Sequence, residues 1–353
     1  MNNSKDFYVI GLMSGTSLDG LDLCYTRFSY DKNWDYQIIN ASTLAYPSFW
    51  SVELNKAHLQ SSAYVEQLNY RYSVYLNQQI HGFIEENQIK KIDLIASHGH
   101  TIWHQPNQNF TKQIGDDTAI AKQLNVPVIV DFRSQDVAMG GQGAPLVPFG
   151  DHYLFKEFDA CLNFGGFANV SMVQNKQRIA FDICPYNKVL NFYAQQLGKN
   201  YDDEGKIAAR HSVQWQLLNQ LNQLDFYAQK GPKSLGVEFL DNKVFPLLEN
   251  YQISPEIKMA TFSLHIAQQV AKSIKEFDKV LVTGGGAYNT YILSEIQKLV
   301  NSHLIVPGKE LVEYKEAMIF GFLGLLKYIN KNNVFSSVTG AHKNHSAGII
   351  IKS

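Results

Sequence analysis

Apolar residues crowd into positions 7–13 and again into 21–28, and the polar, glycine-bearing stretch SGTSLDG lies between them. Two apolar runs around such a centre predict a β-hairpin, with Gly15 and Gly20 supplying permissive backbone. The segment DYQIINASTL predicts a third strand. From about residue 51 to 87 the apolar positions recur at helical spacing, as in AYVEQLNYRYSVYLNQQIHGFIEE. IDLIASHG then reads as a short buried strand, DTAIAKQLN as a helix and VPVIVDF as another strand. Residues 134–151, SQDVAMGGQGAPLVPFGD, are rich in Gly and Pro and predict a linker.

Beyond that stretch the opening order returns. DACLNFGGFANVSMVQN is again strand, glycine turn, strand, and KQRIAFDI is a third strand. Helical patterns follow at about 188–197, 213–224 and 261–277. KVLVTGGGAYN runs from a strand through a triple-glycine turn into a helix, and EAMIFGFLGLLKYINK is the last clear helix. Two hairpin-first blocks of mixed α and β predict a duplicated α/β architecture, with a cleft between halves that divide at 135/136.

The chain has 353 residues, a length that also favours two halves. Its 31 basic and 32 acidic residues leave a formal net charge of −1, so no basic surplus points to nucleic acid. Cys24, Cys161 and Cys184 are widely spread and lack a CxxC spacing, as expected of buried thiols in a reducing compartment. The N-terminal stretch lacks the apolar run of a signal peptide, and no window reaches a membrane helix's length of roughly 18 apolar residues. A soluble cytoplasmic protein is expected.

Several segments bear residues suited to chemistry. In MSGTSLDGLD, Gly15 lets a phosphate approach, Thr16 and Ser17 offer hydroxyls, and the turn's N–H groups suit an anion. Asp19 and Asp22 suit a hydrated Mg²⁺. The plainer reading is a tight Asp-Gly hairpin. NFGGFANV and VTGGGAYN carry similar turns, the latter placed for nucleotide binding but lacking the GxGxxG register. SHGHTIWHQP holds His98, His100 and His104. Strand alternation would put His98 and His100 on one face, yet no third ligand stands at a zinc spacing, so pocket lining is preferred. Asp131, Arg133, Asp136 and Gln142 gather at a strand end, and Arg133 suits a carboxylate or phosphate. Asp182 ends a strand and Glu316 begins a helix; each has a structural reading, as cap or dipole partner, beside a catalytic one.

Taken in order, GLMSGTSLDGLD, SHGHTIWHQP, QIGDDTAIA, GGQGAPLVP, LNFGGFANV, FDICPYN, GPKSLGVEF, VTGGGAYN and KEAMIFGFLGLL resemble the anhydro-N-acetylmuramic acid kinase family across residues 10–348. The resemblance implies an α/β, actin-like ATPase fold of two related RNase H-like lobes around an ATP cleft. It implies ATP-dependent hydrolysis of the anhydro bridge of 1,6-anhydro-N-acetylmuramic acid with phosphorylation of O6, giving N-acetylmuramic acid 6-phosphate in peptidoglycan recycling. Gly15, Thr16, Ser17, Leu18, Asp19, Gly20, Leu21 and Asp22 would hold ATP phosphates and Mg²⁺. Gly165, Gly166 and Asn169 would form a second phosphate turn, and Gly284, Gly285, Gly286 and Asn289 would meet the nucleoside. Asp182 would be the base that activates water, Glu316 would help position that water, and His98, Arg133 and Gln142 would lie at the sugar end. The family also implies a homodimer.

The sequence departs from the family pattern around the base. Asp-Thr-Gly-Pro-Gly-Asn has become Asp182-Ile183-Cys184-Pro185-Tyr186-Asn187, and Asn191 replaces an acid. His100 stands for an amide, and Leu235 and Val237 replace a Thr and an Arg. These changes gather on the expected sugar and catalytic side. They leave room for a sugar kinase with a shifted substrate, or for an ATP-binding regulatory protein that has lost catalysis.

Overall fold

The computed structural model describes residues 5–15, 18, 20–229 and 231–352. Its strands are β1 (Lys5–Ser14), β2 (Leu21–Asp31), β3 (Asn33–Leu44), β4 (Leu94–Ser97), β5 (His100–Gln105), β6 (Phe110–Ile114) and β7 (Val128–Val130). Next come β8 (Ala160–Phe164), β9 (Phe167–Gln174), β10 (Gln177–Pro185), β11 (Lys279–Thr283), β12 (His303–Ile305) and β13 (Ile349–Ile351). The chain forms two compact units. The first is Met1–Phe155 with Tyr314–Ser353, and the second is Lys156–Glu313.

The first unit is built on a six-stranded sheet of order β13-β7-β4-β1-β2-β3. β1, β2 and β3 form an antiparallel meander, β4 and β7 continue parallel to β1, and β13 closes the edge antiparallel. Val9, Ile10 and Leu12 of β1 are fully buried, as befits a central strand covered on both faces. One cover is the helix Ser62–Glu86, whose Val65, Leu68, Tyr72, Leu76, Ile80 and Phe83 recur at helical spacing and are buried. The other is the helix Lys309–Tyr328. A Cβ on Gly11 would overlap the Ala317 carbonyl oxygen, and one on Gly324 would overlap the Ala96 methyl. Helix and strand therefore touch backbone to backbone, which only glycine permits.

The second unit repeats the plan in a five-stranded sheet of order β10-β9-β8-β11-β12. β8, β9 and β10 form the meander, and β11 and β12 extend it in parallel. The helix Pro255–Ile274 buries Met259, Phe262, Ile266 and Val270 at helical spacing in this unit's core. Truncating Phe262 to alanine would cost about 3–5 kcal/mol. Both units thus run three antiparallel strands and then parallel ones, which is the duplicated α/β arrangement expected of an actin-like fold.

Several elements differ from the expectation. Residues 134–151 are not a linker, and the first unit does not end at 135. Helices Ser134–Ala138 and Val147–Leu154 belong to it, because the Gln142 N–H donates to the Thr339 carbonyl (2.7 Å), the Thr339 hydroxyl donates to Asp136 (2.7 Å), and Phe149 stacks on Phe335. The C-terminal segment returns to the same unit through β13. DTAIAKQLN makes only the 3₁₀ turn Thr118–Ala121, after which Gln123 and Asn125 take positive φ and break any helix. The β5–β6 hairpin was not foreseen. Glu316 lies two turns inside its helix rather than at the start, so the dipole reading of that residue falls.

Candidate active site

In the first unit, β1 leads into the glycine turn that opens the expected phosphate site. Ser14, the last residue of β1, is buried and its hydroxyl meets His100 Nδ1 at 2.8 Å. The Tyr46 hydroxyl donates to Ser14 at 2.7 Å and lies 2.6 Å from the Tyr72 hydroxyl. Four side chains from separate elements therefore pin the strand end. Burial pushes His100 down to about 4, so its ring is neutral at pH 7. Beyond Ser14 the Leu18 N–H donates to the Gly15 carbonyl (3.3 Å) with Leu18 at positive φ, and Gly20 abuts the Leu44 carbonyl. Thr16, Ser17 and Asp19 lie outside the described residues. Leu21 is buried, and Asp22 on β2 accepts from the Thr43 hydroxyl at 2.6 Å.

The expected sugar end is also in this unit. His98 and His100 do not share a face of one strand, because Gly99 between them takes φ +72° and β4 has already ended. His98 turns to Arg133, whose Nε donates to His98 Nε2 at 2.9 Å. Arginine can only donate, so Nε2 carries no proton and Nδ1–H donates to the Gly99 carbonyl at 2.8 Å. The ring is held neutral in one tautomer, and burial with the Arg133 charge keeps its pKa well below the usual histidine value. Arg133 Nη1 donates to the Gly143 carbonyl. Burial lowers the Arg133 pKa to about 10, opposed chiefly by Glu316. Glu316 is raised above the ordinary glutamate value by burial, with Lys315 and Arg133 opposing. The structure thus bonds Arg133 to His98, and Glu316 acts on Arg133 through its charge. Gln142 is exposed, one residue before the Gly143 that Arg133 bonds. Among the described residues no three His, Cys, Asp or Glu side chains form a metal-holding group.

The second unit holds the other half of the expected machinery. Asn163, Asn169 and Asp182 are direct partners across β8, β9 and β10, so they form one row on one face of the sheet. A bulge between Asp182 and Cys184 ends the regular pairing. The Asp182 N–H donates to the Lys233 carbonyl (2.9 Å), and its Oδ2 accepts the Leu235 N–H (2.8 Å). Among the described residues Oδ1 has no hydrogen-bond donor. Burial raises the Asp182 pKa above the aspartate norm, and the Leu235 N–H opposes this. Cys184 is fully buried, and burial pushes its thiol up; Cys24 and Cys161 are likewise buried.

The Gly165–Gly166 turn is fixed by backbone. The N–H groups of Tyr186, Asn187 and Lys188 donate to the Gly166, Gly165 and Gly166 carbonyls at 2.9, 3.2 and 3.3 Å. Gly284 takes φ +83° with Asn163 Oδ1 and the Phe164 carbonyl close behind, where a Cβ would collide. Gly285, Gly286 and Asn289 line a cleft of about 670 Å³, within the range of small-molecule sites. Asn289 spends its Oδ1 capping the helix Thr290–Gln297 through the Ile292 N–H (3.0 Å). Asn163 was missed by sequence reasoning, although its place two residues before Gly165 and the strand pairing mark it.

The family model described as anhydro-N-acetylmuramic acid kinase matches residues 7–353. The protein named for that activity in Francisella tularensis subsp. novicida is 33% identical, with 95% of this chain and 96% of the relative aligned. One from Pseudomonas fluorescens is 35% identical, covering 94% and 96%. The chain belongs to the anhydro-N-acetylmuramic acid kinase family. An anhydro-N-acetylmuramic acid kinase is a phosphotransferase, and membership implies use of ATP. Among solved structures, a glucokinase of the ROK family from Streptomyces griseus, with glucose and AMPPNP, aligns at 12% identity and TM-score 0.39, covering 90% and 98%. Component A of a 2-hydroxyglutaryl-CoA dehydratase from Acidaminococcus fermentans aligns at 14% and 0.43, covering 88% and 95%. No described helix is long and apolar enough to cross a membrane.

Departures from the anhydro-N-acetylmuramic acid kinase pattern do not gather on one side. Asn191 lines the cleft with Gly285 and Gly286, and the Tyr186 ring lies against Gly286. Both face the turn expected to meet the nucleoside. Leu235 contributes through its backbone N–H, so loss of a threonine side chain there leaves the bond to Asp182 intact.

Proposed function

We propose that this chain uses ATP to convert 1,6-anhydro-N-acetylmuramic acid into N-acetylmuramic acid 6-phosphate for cell-wall recycling in the cytoplasm, acting as a homodimer. The observation that carries the reading is Asp182. One carboxylate oxygen is fixed by the Leu235 N–H and the other has no donor among the described residues, on a group whose pKa burial has raised. That is the state wanted in a general base near neutral pH. Asp182 takes a proton from water as the water oxygen bonds to the anomeric carbon. The bond from that carbon to O6 breaks, and O6 receives the γ-phosphoryl group as ADP leaves.

The rest of the chain positions these groups. The Gly165–Gly166 turn and the turn after Ser14 cradle phosphates, and the cleft at Gly285 and Gly286 takes the nucleoside. Arg133, charged and oriented by His98, suits the carboxylate of the sugar's lactyl group, and Gln142 adds a polar contact. Glu316, beside Arg133, orders the water. Asp22 with Asp19 offers the carboxylate oxygens that Mg²⁺ prefers. Bound there, Mg²⁺ would neutralise phosphate charge. The ring of Tyr186 lies against Gly286, on the side of the turn assigned to the nucleoside, which favours the unshifted substrate.

Incubation with ATP and the anhydro sugar, read by mass spectrometry, tests this. The expected product has gained one water and one phosphoryl group. Phosphorylation without water uptake, or no product at all, would overturn the reading.

A further inference from the structure

Four residues beyond Asp182, Tyr186 is fully buried, although its hydroxyl must then find a partner. The partner is the Gly286 carbonyl, to which it donates at 3.0 Å. Its ring stacks on Phe164 at 4.9 Å between centroids and 17° between planes. A Cβ on Gly286 would strike a Tyr186 ring carbon at 2.5 Å and the Phe164 Cβ at 2.8 Å, so the turn rests directly on these two residues. The backbone of the same residue reaches the other turn, its N–H donating to the Gly166 carbonyl at 2.9 Å. One residue therefore grips two glycine turns, one by its main chain and one by its phenol, and sits on the loop that carries the base.

We infer that Tyr186 is a positioning residue that sets the affinity for ATP, by holding the Gly284–Gly286 turn in register with the Gly165–Gly166 turn. A ring that only filled the core would give a different result when the hydroxyl alone is removed. The inference rests on the reading above only in taking the cleft at Gly285 and Gly286 as the nucleoside's.

The test is Tyr186→Phe in the full chain, which keeps the stack and deletes one hydroxyl. Binding of a non-hydrolysable ATP analogue, measured by calorimetry without sugar, is expected to weaken up to about tenfold as the Gly286 carbonyl loses the Tyr186 hydroxyl and keeps only the Asn289 N–H. The KM for ATP rises by a similar factor, while kcat and the KM for the sugar stay within about twofold. Tyr186→Leu, which also removes the stack, weakens ATP further and lowers kcat. Unchanged affinity for the analogue in Tyr186→Phe would overturn the inference, as would equal losses for both substrates alongside a lowered Tm. The phenylalanine variant decides alone if the leucine variant fails to fold. If the wild type binds the analogue and Tyr186→Phe weakens it, yet no sugar is turned over, the inference stands and the proposed reaction falls. A wild type that binds no nucleotide would sink both.

Discussion

The two units meet the same task by different means. Each must hold a glycine turn still at the end of a hairpin. In the first, the strand end at Ser14 is fixed by side chains, a chain of hydroxyls and one imidazole from Tyr72 through Tyr46 and Ser14 to His100. In the second, the Gly165–Gly166 turn is fixed by three consecutive backbone N–H groups. A backbone tether does not depend on residue type. This is why the loop from Asp182 to Asn187 can carry Cys184 and Tyr186 in unusual company and still dock. A side-chain network has no such freedom, since each member leaves a partner unpaired when it is lost.

Asp182→Asn gives the largest expected effect. It keeps the Asp182 N–H bond to Lys233 and so leaves the tether alone, while deleting the base. Product formation should fall by about 10²–10⁴-fold with Tm and ATP binding retained, as read by product mass spectrometry and calorimetry. Loss of ATP binding in that variant would mean that the base loop and the turn are not separable. The turnover of the wild type should also fall on the acid side at a pH above that of an ordinary aspartate, because the carboxyl must be ionised to act and burial has raised its pKa.

Ser14→Ala cuts the first unit's network in the middle, taking the Ser14 partner from His100 Nδ1 and leaving the Tyr46 hydroxyl with Tyr72 alone. A loss of about 1–3 kcal/mol in urea unfolding is expected.

A smaller effect follows from His100, whose folded pKa of about 4 lies below that of a free imidazole. As pH drops from about 6.5 toward 4 the unfolded chain takes a proton and the folded chain does not, so stability declines by up to about 1.4 kcal/mol per pH unit. His100→Gln should make this acid slope shallower by one group. An unchanged slope between pH 7 and 5 would place the titration elsewhere.

Asn187→Ala is the smallest, with stability expected to change by less than about 0.5 kcal/mol because its tether to Gly165 is main chain. A large loss there would break the contrast between the units.

The duplicated plan was legible because hydrophobic runs and glycine turns recur in the same order in both halves. Where periodicity was weak, reading failed. The β5–β6 hairpin is short and carries few alternating apolar residues, so its histidines suggested a single strand instead of a break at Gly99. The passage at 134–151 looked like a linker because Gly and Pro are common to linkers and to tight docking loops. Bonds to Asp136 and Thr339 and the Phe149–Phe335 stack distinguish the two. At the proposed site, Asp182, Arg133 and the glycine turns are expected from the motif order. Asn163 needed strand register, and the orientation of Tyr186 toward Gly286 needed coordinates. The sequence counts Tyr186 among the changes on the sugar side, because distance from Asp182 along the chain is blind to which way a ring turns.

The contact between Gly11 and Ala317 has a mechanical meaning. Side chains between two elements act as soft padding, able to change rotamer and absorb a displacement. Here there is none, because helix Lys309–Tyr328 lies against β1 main chain to main chain. A small movement of the strand that ends at Ser14 would thus pass undamped to the helical turn at Ala317, and so to the adjoining Glu316. Stiffness, more than bonding, joins the strand end at Ser14 to the buried acid Glu316.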